Sequence, residues 1–238
     1  KIKIDELEAE DRFRSNTYLK LDYFKDNWEF GLQMESYLPK RIMSYAPGLD
    51  GLDVGTVYAK YNNHEAGVNV TLGHFYEQFG SGLILRSWED RALGINNALF
   101  GINAKMRLAE GLNLTALTGK QRIGMGFDLS KSYIMGTNLE YDIASLFNSK
   151  VTDLKIAGSY VGRLEDANEL NENLEKLTNL YSARLDFAIG NFYFGSEYIY
   201  KDPDVLVETQ RVVEGFDQKG KALLFNLGYS AEGFGANV

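Results

Sequence analysis

The sequence predicts an all-β chain folded as an antiparallel up-and-down transmembrane β-barrel, and three observations carry that prediction. About eleven segments alternate apolar and polar side chains over roughly 9 to 11 residues, the length a tilted strand needs to cross a bilayer core. The links between them run short, long, short, long, as when tight turns face the periplasm and long loops face outward. One parity carries cations and carboxylates that hydrocarbon could not accept.

The short links are Lys25-Asp26-Asn27, Asn62 to Glu65, Glu110-Gly111, Ala144 to Thr152 and Gly190-Asn191. The long ones are Pro39 to Leu52, Tyr76 to Ala98, Gly119 to Ser132, Glu165 to Asn179 and Asp202 to Lys219. A soluble β-sandwich, the main alternative, builds on strands of about 5 or 6 residues and has no reason to keep such a parity.

In the first segment Thr17, Leu19, Leu21 and Tyr23 alternate with Lys20 and Asp22. In the second, Trp28, Phe30, Leu32, Met34 and Leu38 oppose Glu29, Gly31, Gln33 and Glu35. Wound as a helix at about 100° per residue, that apolar set would scatter around the axis; as a strand it makes one greasy face. Val57, Ala59 and Tyr61 then oppose Tyr58 and Lys60, and Val68, Val70 and Leu72 oppose Asn69, Thr71 and Gly73. Phe100 to Leu108 sets Asn103, Lys105 and Arg107 on its polar side, and Leu112, Leu114 and Ala116 face away from Asn113 and Thr115. Tyr133 to Ile143 opposes Asn138, Glu140 and Asp142, and Leu154, Ile156 and Tyr160 oppose Lys155, Ser159 and Arg163. Tyr181 to Ile189 opposes Ser182, Arg184 and Asp186; Phe192, Phe194, Tyr198 and Tyr200 oppose Gly195 and Glu197. Leu223, Phe225, Leu227 and Tyr229 close the series with a weaker contrast to Leu224, Asn226 and Gly228.

Lys105 with Arg107, or Arg184 with Asp186, must face a wet lumen, because each cation at mid-membrane costs about 2–4 kcal/mol. The aromatic set then faces lipid, with Trp28 and Phe192, each after a short turn, in the periplasmic girdle. Composition agrees: 24 Gly, 15 Tyr and 14 Phe stand against 3 Pro and no Cys, which leaves no disulfide framework or thiol chemistry. The mean hydropathy of −0.27 reads as soluble, but a barrel escapes that test because only alternate residues meet lipid. A net charge of −8 excludes a nucleic-acid partner, which needs a basic face. Much of the acid falls in loops, at Asp5 to Asp11 and Glu165 to Glu175, where it solvates.

The chain reads as one barrel domain over residues 1–238, with 1–15 an outer loop. Lys1 to Glu10 lacks the apolar core of a signal peptide, so a mature or partial sequence is expected. The first clear strand leads into a short turn, and the last runs toward a turn at Ala231 to Gly235. That parity predicts a piece of a larger barrel, lacking a strand before Lys1 and several after Val238, with open edges at both ends.

The link Tyr76 to Ala98 is too apolar for a solvated loop. It holds Phe79, Leu83, Ile84, Leu85, Trp88, Leu93 and Ile95 with the charges Arg86, Glu89, Asp90 and Arg91. It is expected to fold into the lumen as a constriction or a plug. The candidate lumen and constriction residues are Arg86, Glu89, Asp90, Arg91, Lys105, Arg107, Glu140, Asp142, Arg184 and Asp186. The acids Glu29, Glu35, Glu140 and Asp142 are expected to counter Lys20, Lys105, Arg107 and Arg184.

Three stretches, Ser15-Asn16-Thr17-Tyr18-Leu19, Phe75-Tyr76-Glu77-Gln78-Phe79-Gly80-Ser81-Gly82-Leu83 and Glu89-Asp90-Arg91-Ala92-Leu93-Gly94-Ile95-Asn96-Asn97, carry a resemblance. Over roughly residues 15 to 120 the chain resembles an uncharacterised outer-membrane β-barrel family of Bacteroidota, whose members are longer. The resemblance implies a fold and a compartment, the outer membrane of a Gram-negative bacterium. It brings no activity and no functional residue.

Catalytic signals are thin. His64 sits in a short turn, and His74 shares the outward parity of Val70 and Leu72, where an interface position is expected. A surface phospholipase would need a serine near His74, and none is placed locally. Gly124-x-Gly126 lacks the strand-to-helix setting of a phosphate loop, and no Cys/His metal cluster exists, so no cofactor is expected. The expected function is a non-enzymatic, porin-like passive pore with an inserted loop. The alternative is a non-conducting accessory subunit of a larger complex for protein assembly, secretion or nutrient uptake. Expected partners are outer-membrane lipid and other outer-membrane proteins or lipoproteins.

Overall fold

The computed structural model describes residues 13–42, 49–144, 151–165, 177–208 and 211–238, with side chains outside 151–152 and 204–218. Twelve strands form one antiparallel sheet whose spatial order is the chain order. They are β1 (Thr17–Lys25), β2 (Trp28–Tyr37), β3 (Gly51–Asn63), β4 (Val68–Phe75), β7 (Leu99–Ala109), β8 (Leu112–Arg122), β9 (Leu129–Asp142), β10 (Val151–Leu164), β11 (Leu177–Ile189), β12 (Phe192–Glu208), β13 (Arg211–Ala231) and β14 (Phe234–Asn237). Between β4 and β7 a small separate hairpin pairs β5 (Glu89–Asp90) with β6 (Ile95–Asn96). Among the described residues β1 and β14 each pair along one edge only, the open order expected from the link parity.

The sheet is inside-out relative to a soluble domain. On the apolar parity Leu21, Phe30, Ile102, Tyr181 and Phe225 lie 43–57% exposed. On the opposite parity Gln33, Glu35, Asn103, Asn138 and Glu197 are only 1–6% exposed. A monomer in water does not keep an apolar face of this extent uncovered; lipid is the solvent that suits it. Trp28 and Phe192 each stand among aromatic rings at the short-turn end. The Trp28 ring lies 5.1 Å from Tyr61 and 5.9 Å from Phe30, and Phe192 lies 4.8 Å from Tyr229.

The sheet also curls. Four ladder steps of ~4.8 Å would put β2 and β8 about 19 Å apart in a flat sheet. Arg122 on β8 nevertheless places Nη2 2.6 Å from Glu35 on β2. Only a strongly curved wall brings those side chains together, and the buried parity is its concave, inner side.

The strands depart from the sequence reading at several links. The long link placed at Gly119 to Ser132 shrinks to residues 123–128, because β8 runs on to Arg122 and β9 starts at Leu129. A bulge between Lys120 and Arg122 breaks the period there. The link at Asp202 to Lys219 is mostly strand, since β12 reaches Glu208 and β13 begins at Arg211. The backbone ladder continues there through pairs such as Glu208 with Arg211. The turn placed at Asn62 to Glu65 sits at residues 64–67, as Asn63 still pairs with Val68. The turn at Ala231 to Gly235 tightens to residues 232–233, and a twelfth strand, β14, starts at once beyond it. Residues 1–12, 43–48, 145–150, 166–176 and 209–210 lie outside the described residues, and with them most of the expected outer loop 1–15.

Candidate functional site

Link 76–98 leaves the top of β4 and returns to the top of β7 as two small hairpins. In the first, Phe79 N–H donates to Leu85 O (3.1 Å) and Ser87 N–H to Glu77 O (2.8 Å). In the second, β5 pairs with β6, and Asp90 Oδ1 accepts from the N–H groups of Ala92 and Leu93 (2.9 and 3.0 Å).

The first hairpin reaches across the inner face to β11 and β12. Ser81 N–H donates to Glu197 Oε2 (3.0 Å), whose other oxygen accepts from Ser182 (2.6 Å). Gly80 takes φ +55, and a Cβ there would sit 2.5 Å from Arg184 and 2.8 Å from Glu197, so the close approach needs glycine. Beneath it an apolar patch forms where Phe79, Ile84 and Leu85 meet Leu99, Leu117, Val161 and Ile199. Phe79 is 1% exposed and rests on the bare backbone of Gly136. A Cβ at Gly136 would lie 2.9 Å from that ring. Gly136→Ala is therefore expected to cost about 1–3 kcal/mol by overpacking. A lowered thermal midpoint with faster proteolysis inside 76–98 checks it; unchanged values place Phe79 elsewhere.

The second hairpin leans the other way. Arg91 donates to Gln33 Oε1 (3.1 Å) and Glu89 (3.2 Å), and its guanidinium stacks 4.3 Å over the Tyr18 ring. Burial works against the Arg91 charge, but the Glu89 carboxylate outweighs it and holds the guanidinium above its ordinary value. Gln33 donates to both Glu89 (3.3 Å) and Glu35 (3.0 Å). Glu35 is held by a bidentate Arg122 (3.1 and 2.6 Å) and by the Tyr37 hydroxyl (2.8 Å). Both side chains of that ion pair are 2% exposed. At the base of the link, Glu77 Oε2 accepts from Lys105 Nζ (2.7 Å) and Asn103 Nδ2 (2.8 Å).

The predicted residues thus fall into separate groups rather than one ring. Glu89 and Arg91 join the Gln33–Glu35–Arg122 network. Lys105 meets Glu77. Arg184 donates to Glu140 (2.9 Å) and Asn138 (2.6 Å), near the tip of the first hairpin. Asp186 accepts from Tyr193 (3.0 Å). Arg107 caps carbonyls of the 64–67 turn (3.3 and 3.2 Å), and Arg86 stacks on its neighbour Trp88 (4.3 Å). Asp90 caps its own turn, and Asp142 accepts from Ala144 N–H (3.1 Å) at the short-turn end. Sequence reasoning missed Arg122, Glu77 and Glu197 as anchors; only the inward parity of Glu197 was visible. It also gave Glu35 the wrong counter-charge. His74 corrects another expectation: it is 3% exposed, accepts from Val57 N–H (3.1 Å) and stacks 4.9 Å from Phe100 and 5.8 Å from Phe127. Its parity is outward, but Phe127 from the 123–128 link folds over it.

Space remains on both sides of this link. One cavity of about 410 Å³ lies toward β1–β4, and one of about 400 Å³ lies below Glu77 and Gln78. A third, about 460 Å³, borders Gly80, Ser81, Arg184 and Glu197. Among the described residues no group of three His, Asp or Glu side chains is placed to hold a metal ion.

A model of a family of unknown function, DUF6029, matches residues 1–238. The chain belongs to DUF6029. No curated protein matches this DUF6029 member by sequence. Among solved structures it is similar to a BenF-like porin from Pseudomonas fluorescens Pf-5, at 13% identity and TM-score 0.44, covering 91% of this chain and 70% of that one. It is also similar to Pseudomonas aeruginosa OccK3 (OpdO), at 12% identity and TM-score 0.42, covering 91% and 72%. At that distance the superpositions decide neither the solute nor the activity of the DUF6029 chain.

Proposed function

We propose that this DUF6029 chain forms wall and inserted loop of a non-enzymatic, porin-like passive pore. We place it in the outer membrane of a Gram-negative bacterium of the Bacteroidota, with lipid against its apolar belt. The observation that carries this reading is the unfilled polar space around link 76–98. Charged and amide side chains of the concave face line cavities beside the link instead of being packed shut against it. In this reading link 76–98 lies in the lumen as the constriction. Arg86, Glu89, Asp90, Arg91, Lys105, Arg107, Glu140, Asp142, Arg184 and Asp186 contribute to the lumen and its narrow part, with Glu77 added. Residues 1–15 form an outer loop.

One observation favours the second reading, a non-conducting accessory subunit. The link is pinned at three places and seated on an apolar patch, as a plug would be. The test is bilayer conductance of the purified full-length protein. Discrete, ohmic channels are expected. Electrical silence, together with co-purification of other outer-membrane proteins or lipoproteins in mild detergent, favours the plug.

A further inference from the structure

The cavities of about 410 and 400 Å³ share two wall residues, Asn69 and Lys105, so they are successive parts of one path along the inner face between β1 and β9. Where the two meet, the Glu77 carboxylate bridges from the link to Lys105 and Asn103 on the wall, the neck of the path in this reading. Below that neck the lining is dominated by neutral side chains: Asn62, Asn63, Asn69, Asn113, Thr115 and Asn138.

Most charges along the path are paired among the described residues. Lys60 lies 3.5 Å from Glu29, Lys105 2.7 Å from Glu77, Arg91 3.2 Å from Glu89, and Glu140 2.9 Å from Arg184. Lys20 lies 3.6 Å from Asp22, and Arg107 is turned onto backbone carbonyls. A solute with net charge meets few unpaired counter-charges in such a path, yet loses part of its hydration at the neck. Amides and hydroxyls differ: each offers both donors and acceptors. They can replace, one for one, the water around a solute rich in hydroxyl groups.

We propose that the solutes this path admits are uncharged and hydroxyl-rich, of the saccharide class, and that the Glu77–Lys105 bridge is its charge-balancing neck. The inference rests on the pore reading. Full-length protein in liposomes is assayed by osmotic swelling with sucrose and with Lys-Lys and Glu-Glu dipeptides. Sucrose is expected to enter about tenfold faster than either dipeptide, a discrimination of ~1.4 kcal/mol. In a KCl gradient the reversal potential is expected near zero. Glu77→Gln, which leaves Lys105 unmatched, shifts it toward the chloride limit, and Lys105→Gln shifts it toward the potassium limit.

Dipeptide entry that outpaces sucrose overturns the saccharide assignment and leaves the pore reading standing. A strongly ion-selective unaltered channel, or variants with unshifted potentials, does the same to the neck. Absence of any swelling or current overturns the pore reading itself.

Discussion

Arg122→Ala is expected to destabilise the barrel by about 3–5 kcal/mol, the usual result of removing one member of a buried ion pair. The reason is what it leaves behind. Glu35 is 1% exposed, and two charge-assisted hydrogen bonds to it come from the Arg122 guanidinium. Without it, Tyr37 and Gln33 remain as donors to a carboxylate that water cannot reach. The same bond ties β2 to β8 across the curl, so its loss also frees the wall to open. Removing both charges is a different experiment. Glu35→Leu with Arg122→Leu takes away the pair and its desolvation cost together, and most of the stability is expected to return. Denaturant unfolding of the full-length protein in lipid vesicles measures both variants. A single variant within about 0.5 kcal/mol of the parent, as for an ordinary surface change, would show that the pair does not hold the wall.

Phe225→Arg and Asn226→Arg should differ sharply although the residues are neighbours on β13. Phe225 lies 57% exposed on the apolar parity, six residues before the end of the strand at Ala231. Arginine there must enter hydrocarbon, at about 2–4 kcal/mol near the midplane. Asn226 points to the inner face and lines the 460 Å³ cavity, where an added cation stays in water. Its change is expected within about 0.5 kcal/mol. Equal stability of the two variants, or loss at Asn226 alone, would invert the assignment of faces. The comparison needs no knowledge of what the pore carries.

Much of the site followed from parity, and the failures have identifiable causes. Lys105, Glu140 and Arg184 were placed inward because successive side chains of a strand point to opposite faces. Arg122 was lost because the bulge after Lys120 breaks that alternation, which put the position inside the long link Gly119 to Ser132. Even with its direction known, its partner stands 87 positions away in sequence. Glu77 carried no parity, since it lies in a link whose path is fixed by contacts to the wall. His74 was given the correct side but the wrong solvent, since Phe127 covers it from a separate link.

The order of residues was enough to say, for most strands, which side chains meet lipid and which meet the interior. Those properties depend on neighbours one or two positions apart and on the fixed spacing of a membrane. Which charge meets which across the interior, and where the link crosses it, came only with the folded molecule. Those contacts depend on how far the sheet curls, a sum over many strands of twist, bulge and packing that no local pattern contains.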